Sequence, residues 1–191
     1  MASPVHPTAK AAASLPHEDV SVLAERAYSR TTGADAIRGN SVKLLIDSRE
    51  NYPAWLDAIR SAERQILFEM YIVDDDDIGH AFAEALAERA RAGVRVKVLV
   101  DWLGGWRGKG AWDRLDGTSA EVRLFNPPSL ASPLAWLSRD HRKTITIDDR
   151  IGFVSGLCVS KQWEGNPARR REPWRDTGIS VTGPAVASLQ R

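Results

Sequence analysis

The chain has 191 residues, 43% of them hydrophobic, enough for one ordinary domain around its own core. Its 26 basic and 25 acidic side chains leave a formal net charge of +1, a balance that lacks the strongly basic footprint of a dedicated nucleic-acid module. A single cysteine, Cys158, excludes an internal disulfide, and no run reaches the roughly 18 apolar residues of a membrane span.

Residues 1–17, rich in Ala, Ser and Pro, predict a flexible leader without the charged-then-apolar order of a secretory signal. A reducing cytoplasm suits such a chain, and any membrane contact is expected to be peripheral. One domain is expected over 18–191. Val20, Leu23, Ala24 and Ala27 recur at helical spacing between Glu18 and Arg30, before Gly33. Gly39-Asn40 predicts a turn, and Val42, Leu44 and Ile46 alternate with polar or opposite-facing neighbours as in a strand. Asn51-Tyr52-Pro53 then suits a helix start with proline in the first turn.

The apolar run from Gln65 to Val73, interrupted by Glu69, predicts a strand buried on both faces. A helix is expected from Ile78 to Ala92, capped by the acids Asp74 to Asp77 and stopped at Gly93, and then a strand from Val94 to Val100. Trp102 to Gly110 is glycine-rich enough to predict a loop, and Ala120 to Phe125 a strand broken by Asn126-Pro127-Pro128. Short strands follow at Lys143 to Asp148, Ile151 to Val154 and Gly178 to Val181. Strands alternating with helices imply an α/β fold with a mostly parallel sheet flanked by helices on both faces.

Within the strand at Lys143 the period of two places Lys143, Ile145 and Ile147 on one face, and His141 shares it. An imidazole beside an ammonium suits attack on a phosphodiester, because one can act as nucleophile while the other offsets charge on the non-bridging oxygens. No metal or other cofactor is called for. The pattern His141-x-Lys143-(x)4-Asp148, followed by Gly152-Phe153-Val154-Ser155-Gly156, resembles the phospholipase D superfamily, and within it the N-terminal half of cardiolipin synthases. The similarity extends through Gly39 to Ile46, Ile66 to Ile72, Arg91 to Leu103 and Trp174 to Val186.

That resemblance implies a βαβαβ sandwich forming one half of a pseudo-two-fold bilobal enzyme. It implies that His141 forms a phosphohistidine, Lys143 binds phosphate, Asp176 orients the imidazole and Asp148 is a structural acid of the motif. Two departures stand out. Cys158 occupies the place of a phosphate-binding amide, leaving Ser155 or a backbone N–H to take over. Only one motif is present, so a second motif-bearing chain, a homodimer or a missing segment is expected to supply the general acid, a contribution of about 10²–10⁴-fold. The helix suggested after Gly183-Pro184, cut short at Arg191, favours truncation.

Other features admit plainer roles. Glu69 inside a buried-looking strand needs a partner and is a candidate neighbour of the substrate site. Trp102, Trp106, Arg107, Lys109 and Trp112 suit either a lipid headgroup boundary at the inner face of the membrane or ordinary packing. Arg169, Arg170, Arg171 and Arg175 suit an anionic headgroup or a solvated loop. The expected function is phosphatidyl transfer or phosphodiester hydrolysis in phospholipid metabolism, on a phosphatidylglycerol- or cardiolipin-like substrate. The alternatives are a homodimeric phosphodiesterase or nuclease, and an inactive half-domain that only binds.

Overall fold

The computed structural model describes residues 20–130 and 137–190. The predicted leader at 1–17 lies outside the described residues. The described residues fall into two units, one within 20–37 and one within 38–190. In the first, α1 (Val20–Thr32) ends at Gly33, whose φ of 69° and N–H bond to the Ser29 carbonyl (2.9 Å) terminate the helix.

The second unit contains β1 (Ser41–Ile46), α2 (Asp47–Arg60), β2 (Gln65–Met70), α3 (Asp77–Arg91) and β3 (Arg95–Asp101). A helical run follows, comprising α4 (Trp102–Gly105) and α5 (Lys109–Trp112) with 3₁₀ turns at Trp106–Gly108 and Asp113–Leu115. Then come β4 (Glu121–Phe125), β5 (Thr144–Ile147), β6 (Ile151–Ser155) and β7 (Thr177–Thr182). All seven strands join one mixed sheet, ordered β1-β7-β6-β5-β2-β3-β4.

The α/β class and the mixed sheet flanked by helices hold, but the predominance of parallel pairing does not. Only β2 with β3 and β3 with β4 run parallel, while the remaining four pairings are antiparallel. Parallel neighbours need long crossovers, which α3 and the helical run after β3 supply. The last three strands have no such helices, and β5 returns directly as β6 through Asp148-Asp149-Arg150, whose first two residues are left-handed with φ of 55° and 58°.

The core lies between one face of this sheet and the helices. Ile66, Phe68 and Met70 of β2, Val96, Val98 and Val100 of β3, and Ile145 and Ile147 of β5 are buried. They share a cluster with Trp55 and Ile59 of α2 and Phe82 and Leu86 of α3. Tyr52, Trp55 and Phe82 meet edge-on or tilted with centroids 5.6–6.1 Å apart. The 3₁₀ turn Pro184–Gln190 packs against β5, β6 and β7 and buries Val186.

Three local expectations are corrected. In β1 the buried residue is Leu45, while Val42 and Leu44 are exposed, because an edge strand pairing only with β7 turns that side away from the core. The second helix starts at Asp47, not Asn51, leaving Pro53 inside it. The glycine-rich segment 102–110 is helical rather than a loop. Its glycines permit close packing: a Cβ on Gly104 would collide with the Tyr71 carbonyl, and one on Gly108 with that of Val73. The acids at 74–77 behave as expected, Asp76 accepting from the N–H groups of Ile78 and Gly79.

Candidate active site

His141 and Lys143 occupy the segment that enters β5. His141 is exposed and Lys143 is buried, with Nζ donating to the His141 carbonyl at 2.7 Å. Both rest on Tyr71, the first residue beyond β2. The imidazole and phenol ring centroids are 4.5 Å apart, and Lys143 Nζ lies 5.2 Å from the phenol centroid. Burial pushes the Lys143 ammonium below its ordinary pKa, against the opposing pull of Cys158, Asp140 and Asp176. The cation is therefore partly desolvated, which strengthens its attraction for an incoming phosphate.

Asp176 stands at the start of β7. Its Oδ1 accepts from Thr177 N–H at 2.8 Å, its carboxylate fills the space a side chain on Gly156 would need, and Asp47 Oδ1 accepts from its N–H at 3.1 Å. It lies close enough to act electrostatically on Lys143, yet no hydrogen bond joins it to His141. The imidazole is held instead by the Tyr71 ring.

Asp148 is 2% exposed and faces away from solvent into the β2 entrance. It accepts from the N–H groups of Glu63 (2.9 Å), Arg64 (2.8 Å) and Gln65 (2.8 Å). Burial raises its pKa, but these three donors outweigh that and hold the carboxyl below its ordinary value. It clamps the strand carrying the motif to β2.

Ser155 donates Oγ–H to the Leu157 carbonyl at 3.1 Å, and its N–H bonds the Lys143 carbonyl at 3.2 Å, tying its main chain to that of Lys143. Cys158 is 1% exposed, and burial pushes its thiol up to about 11. It remains a neutral thiol, interacting electrostatically with Lys143 and Asp176. Glu69 lies under the motif, its Oε2 3.4 Å from Arg142 Nε, and burial, followed by the charge of Asp140, pushes its carboxyl up to about 7.

A sequence model described as the phospholipase D-like domain of cardiolipin synthase matches residues 55–162. The chain belongs to this family. Cardiolipin synthase A of Pseudomonas syringae is 34% identical over 172 residues, covering 86% of this chain and 35% of that protein. Cardiolipin synthase of Alkalihalophilus pseudofirmus is 37% identical over 155 residues, covering 79% of this chain and 30% of its own length. The chain thus spans about a third of the curated relatives it matches. Two solved structures share the fold. NucT from Helicobacter pylori has a TM-score of 0.59 at 16% identity, over 80% of this chain and 92% of that one. Nuc from Salmonella typhimurium, a phospholipase D family member, has a TM-score of 0.56 at 20% identity, over 78% and 88%.

Within this cardiolipin synthase-like domain, sequence reasoning passed over three residues that build the site. Tyr71 was absorbed into an apolar strand, although β2 ends at Met70 and releases it toward the motif. Asp101, fully buried at the end of β3, accepts from Leu103, Gly104 and Asp140 N–H groups and from the Arg139 guanidinium. Asp140 is buried as well. The available signal was an acid at the end of an apolar strand and another immediately before the motif histidine.

Proposed function

We propose that this domain contributes one half of a site for phosphatidyl transfer or phosphodiester cleavage, with His141 as the attacking group. The observation that carries the reading is the convergence of His141 and a partly desolvated Lys143 on the Tyr71 ring, in a chain of the cardiolipin synthase-like family. An imidazole nitrogen attacks phosphorus, the bond to the leaving alcohol oxygen breaks, and a phosphohistidine forms. Lys143, with Ser155 or a neighbouring N–H, offsets the charge on the non-bridging oxygens. An acceptor alcohol, or water, then attacks phosphorus and regenerates the imidazole.

Asp176 acts on this centre through its field on Lys143. The leaving oxygen takes its proton from a second motif, supplied by another chain or another segment. The substrate fitting this chemistry is a phosphatidylglycerol- or cardiolipin-like lipid. Among the described residues no helix is long and apolar enough to cross a membrane. Leu103 and Trp106, 43% and 64% exposed beside Arg107 and Lys109, offer a peripheral contact at the inner face, consistent with a cytoplasmic chain.

A second reading is a homodimeric phosphodiesterase or nuclease, in which a second copy of this chain supplies the second motif. Incubation with labelled phosphatidylglycerol vesicles, followed by an acid-labile, base-stable label on the protein, tests the reaction. His141→Ala should abolish the label while preserving the melting temperature. Label retained in that variant would refute the assignment. Light scattering separates the readings: a dimer active on soluble diesters supports the second, whereas a monomer inert in both assays leaves a binding role alone.

A further inference from the structure

The connection between β6 and β7 carries three consecutive arginines, Arg169, Arg170 and Arg171, that the proposed reaction does not use. Asn166 and Arg171 close this loop by exchanging two main-chain hydrogen bonds, at 2.8 and 3.0 Å. Asn166 Oδ1 also accepts from the Arg169 N–H at 3.1 Å, and Arg170 turns the tip with a φ of 50°. At the base, a Cβ on Gly165 would collide with the main chains of Arg171 and Pro173. The loop is thus a closed frame that keeps the arginines together.

Neighbouring cations are paired, Lys161 with Asp77 at 2.5 Å and Arg175 with Asp47 at 2.7 Å. Among the described residues, the guanidinium groups of Arg169, Arg170 and Arg171 form no ion pair or hydrogen bond. Arg169 and Arg171 line a cavity of about 510 Å³ with Lys161, Asn166 and Trp174, and Glu172 is the acid on its wall. That volume falls among small-ligand clefts, which span about 300–1,000 Å³. Trp174 presents its indole there, 54% exposed, supported from beneath by the buried Trp163 edge-on at 5.1 Å between centroids.

Like charges gathered in a closed loop repel, and a bound anion offsets that repulsion. Guanidinium forks match phosphate oxygens, while an indole suits the glycerol and first methylenes at a headgroup boundary. We infer that this cavity is a second anion subsite, which takes the phosphate of a glycerophosphate headgroup on an anionic lipid. A nucleic-acid strand also offers phosphates, but the net charge of +1 and the family match favour lipid. Trp174 stands two residues before Asp176, within about 7 Å of it along the chain. Resting on the proposed phosphatidyl transfer, the inference gives the subsite one task, to hold the phosphate of the acceptor lipid beside the reacting centre.

The full chain is tested with two probes. Glycerol phosphate in solution should shift the Trp174 indole N–H signal, assigned by its loss in Trp174→Phe. Vesicles of phosphatidylcholine containing phosphatidylglycerol should co-sediment the protein. In the double variant Arg169→Gln, Arg171→Gln the indole shift should vanish, and vesicle binding should weaken about fivefold per arginine removed. The charge-matched variant Arg60→Gln, Arg91→Gln, on α2 and α3, should keep vesicle binding within about twofold, since distant exposed charges are screened. All four side chains are exposed, so melting temperatures should not change. Equal losses in the two double variants, or an indole signal indifferent to glycerol phosphate, would overturn the inference. Displacement from the vesicles by a single-stranded oligonucleotide, through the same arginines, assigns them to nucleic acid and overturns the lipid subsite. Binding without any phosphohistidine leaves the anion subsite standing and removes its acceptor role together with the proposed reaction. Phosphohistidine without binding removes the subsite alone.

Discussion

Asp148 provides the sharpest separation of structural from chemical roles within the motif. Its Oδ1 accepts from Arg64 and Gln65 N–H, its Oδ2 from Glu63 N–H, and its own N–H bonds the Gln65 carbonyl at 3.0 Å. A hydrogen bond to a charged group contributes about 1.5–3 kcal/mol, and water can replace part of that at the two half-buried donors. Asp148→Ala should therefore cost about 3–5 kcal/mol. In a domain of this size each kcal/mol lowers Tm by about 2–4 °C, so the drop is on the order of 10 °C.

Asp148→Asn is predicted to be milder. With its oxygen at the Oδ1 position it keeps two donors and turns an NH2 toward Glu63, losing one bond of the three, about 1.5–3 kcal/mol. Thermal melts at neutral pH measure both. The sign with pH follows from the lowered carboxyl: stabilisation is complete above about pH 3.8 and disappears as pH falls through the lower folded-state value. The gap between wild type and Asp148→Ala should therefore close in acid. Unchanged melting in both variants, accompanied by lost phosphohistidine formation, would show that the carboxylate meets substrate and would refute the structural assignment.

Tyr71→Ala should reduce phosphohistidine formation by about tenfold or more, through release of His141 and Lys143 from their common support, whereas Tyr71→Phe should stay within about twofold because the ring supplies the contact. Equal losses in the two variants would transfer the role to the hydroxyl. Cys158, buried with its thiol raised to about 11, should react with a disulfide reagent at pH 8 only at the rate of global unfolding. Rapid labelling of folded protein would reverse the description of this thiol as inert.

Several elements could be read from the residues because their signals are local. The stripe of Phe82, Ala85, Leu86 and Ala90 requires a helix whatever surrounds it, and Asp76 caps it with its own side chain. The apolar run of β2 and the spacing of His141, Lys143 and Asp148 identify the buried strand and the family. Strand direction was different, since Lys143 to Val154 contains the same residues whether its neighbours run parallel or antiparallel. The three-residue link Asp148-Asp149-Arg150 allows only an antiparallel return of β6 on β5, whereas the antiparallel placement of β5 against β2 is decided by the assembled sheet.

The same division holds at the site. The residues alone point to the groups proposed for the chemistry, an imidazole and an ammonium two positions apart in a motif shared with the family. Tertiary structure decided what supports them. Tyr71 meets His141 across 70 positions of chain and Asp101 meets Asp140 across 39, while Glu69 lies on a strand whose apolar pattern conceals its pairing with Arg142. Long-range contacts of this kind leave no periodicity behind, since they arise only when β2, β3 and β5 are laid side by side in one sheet.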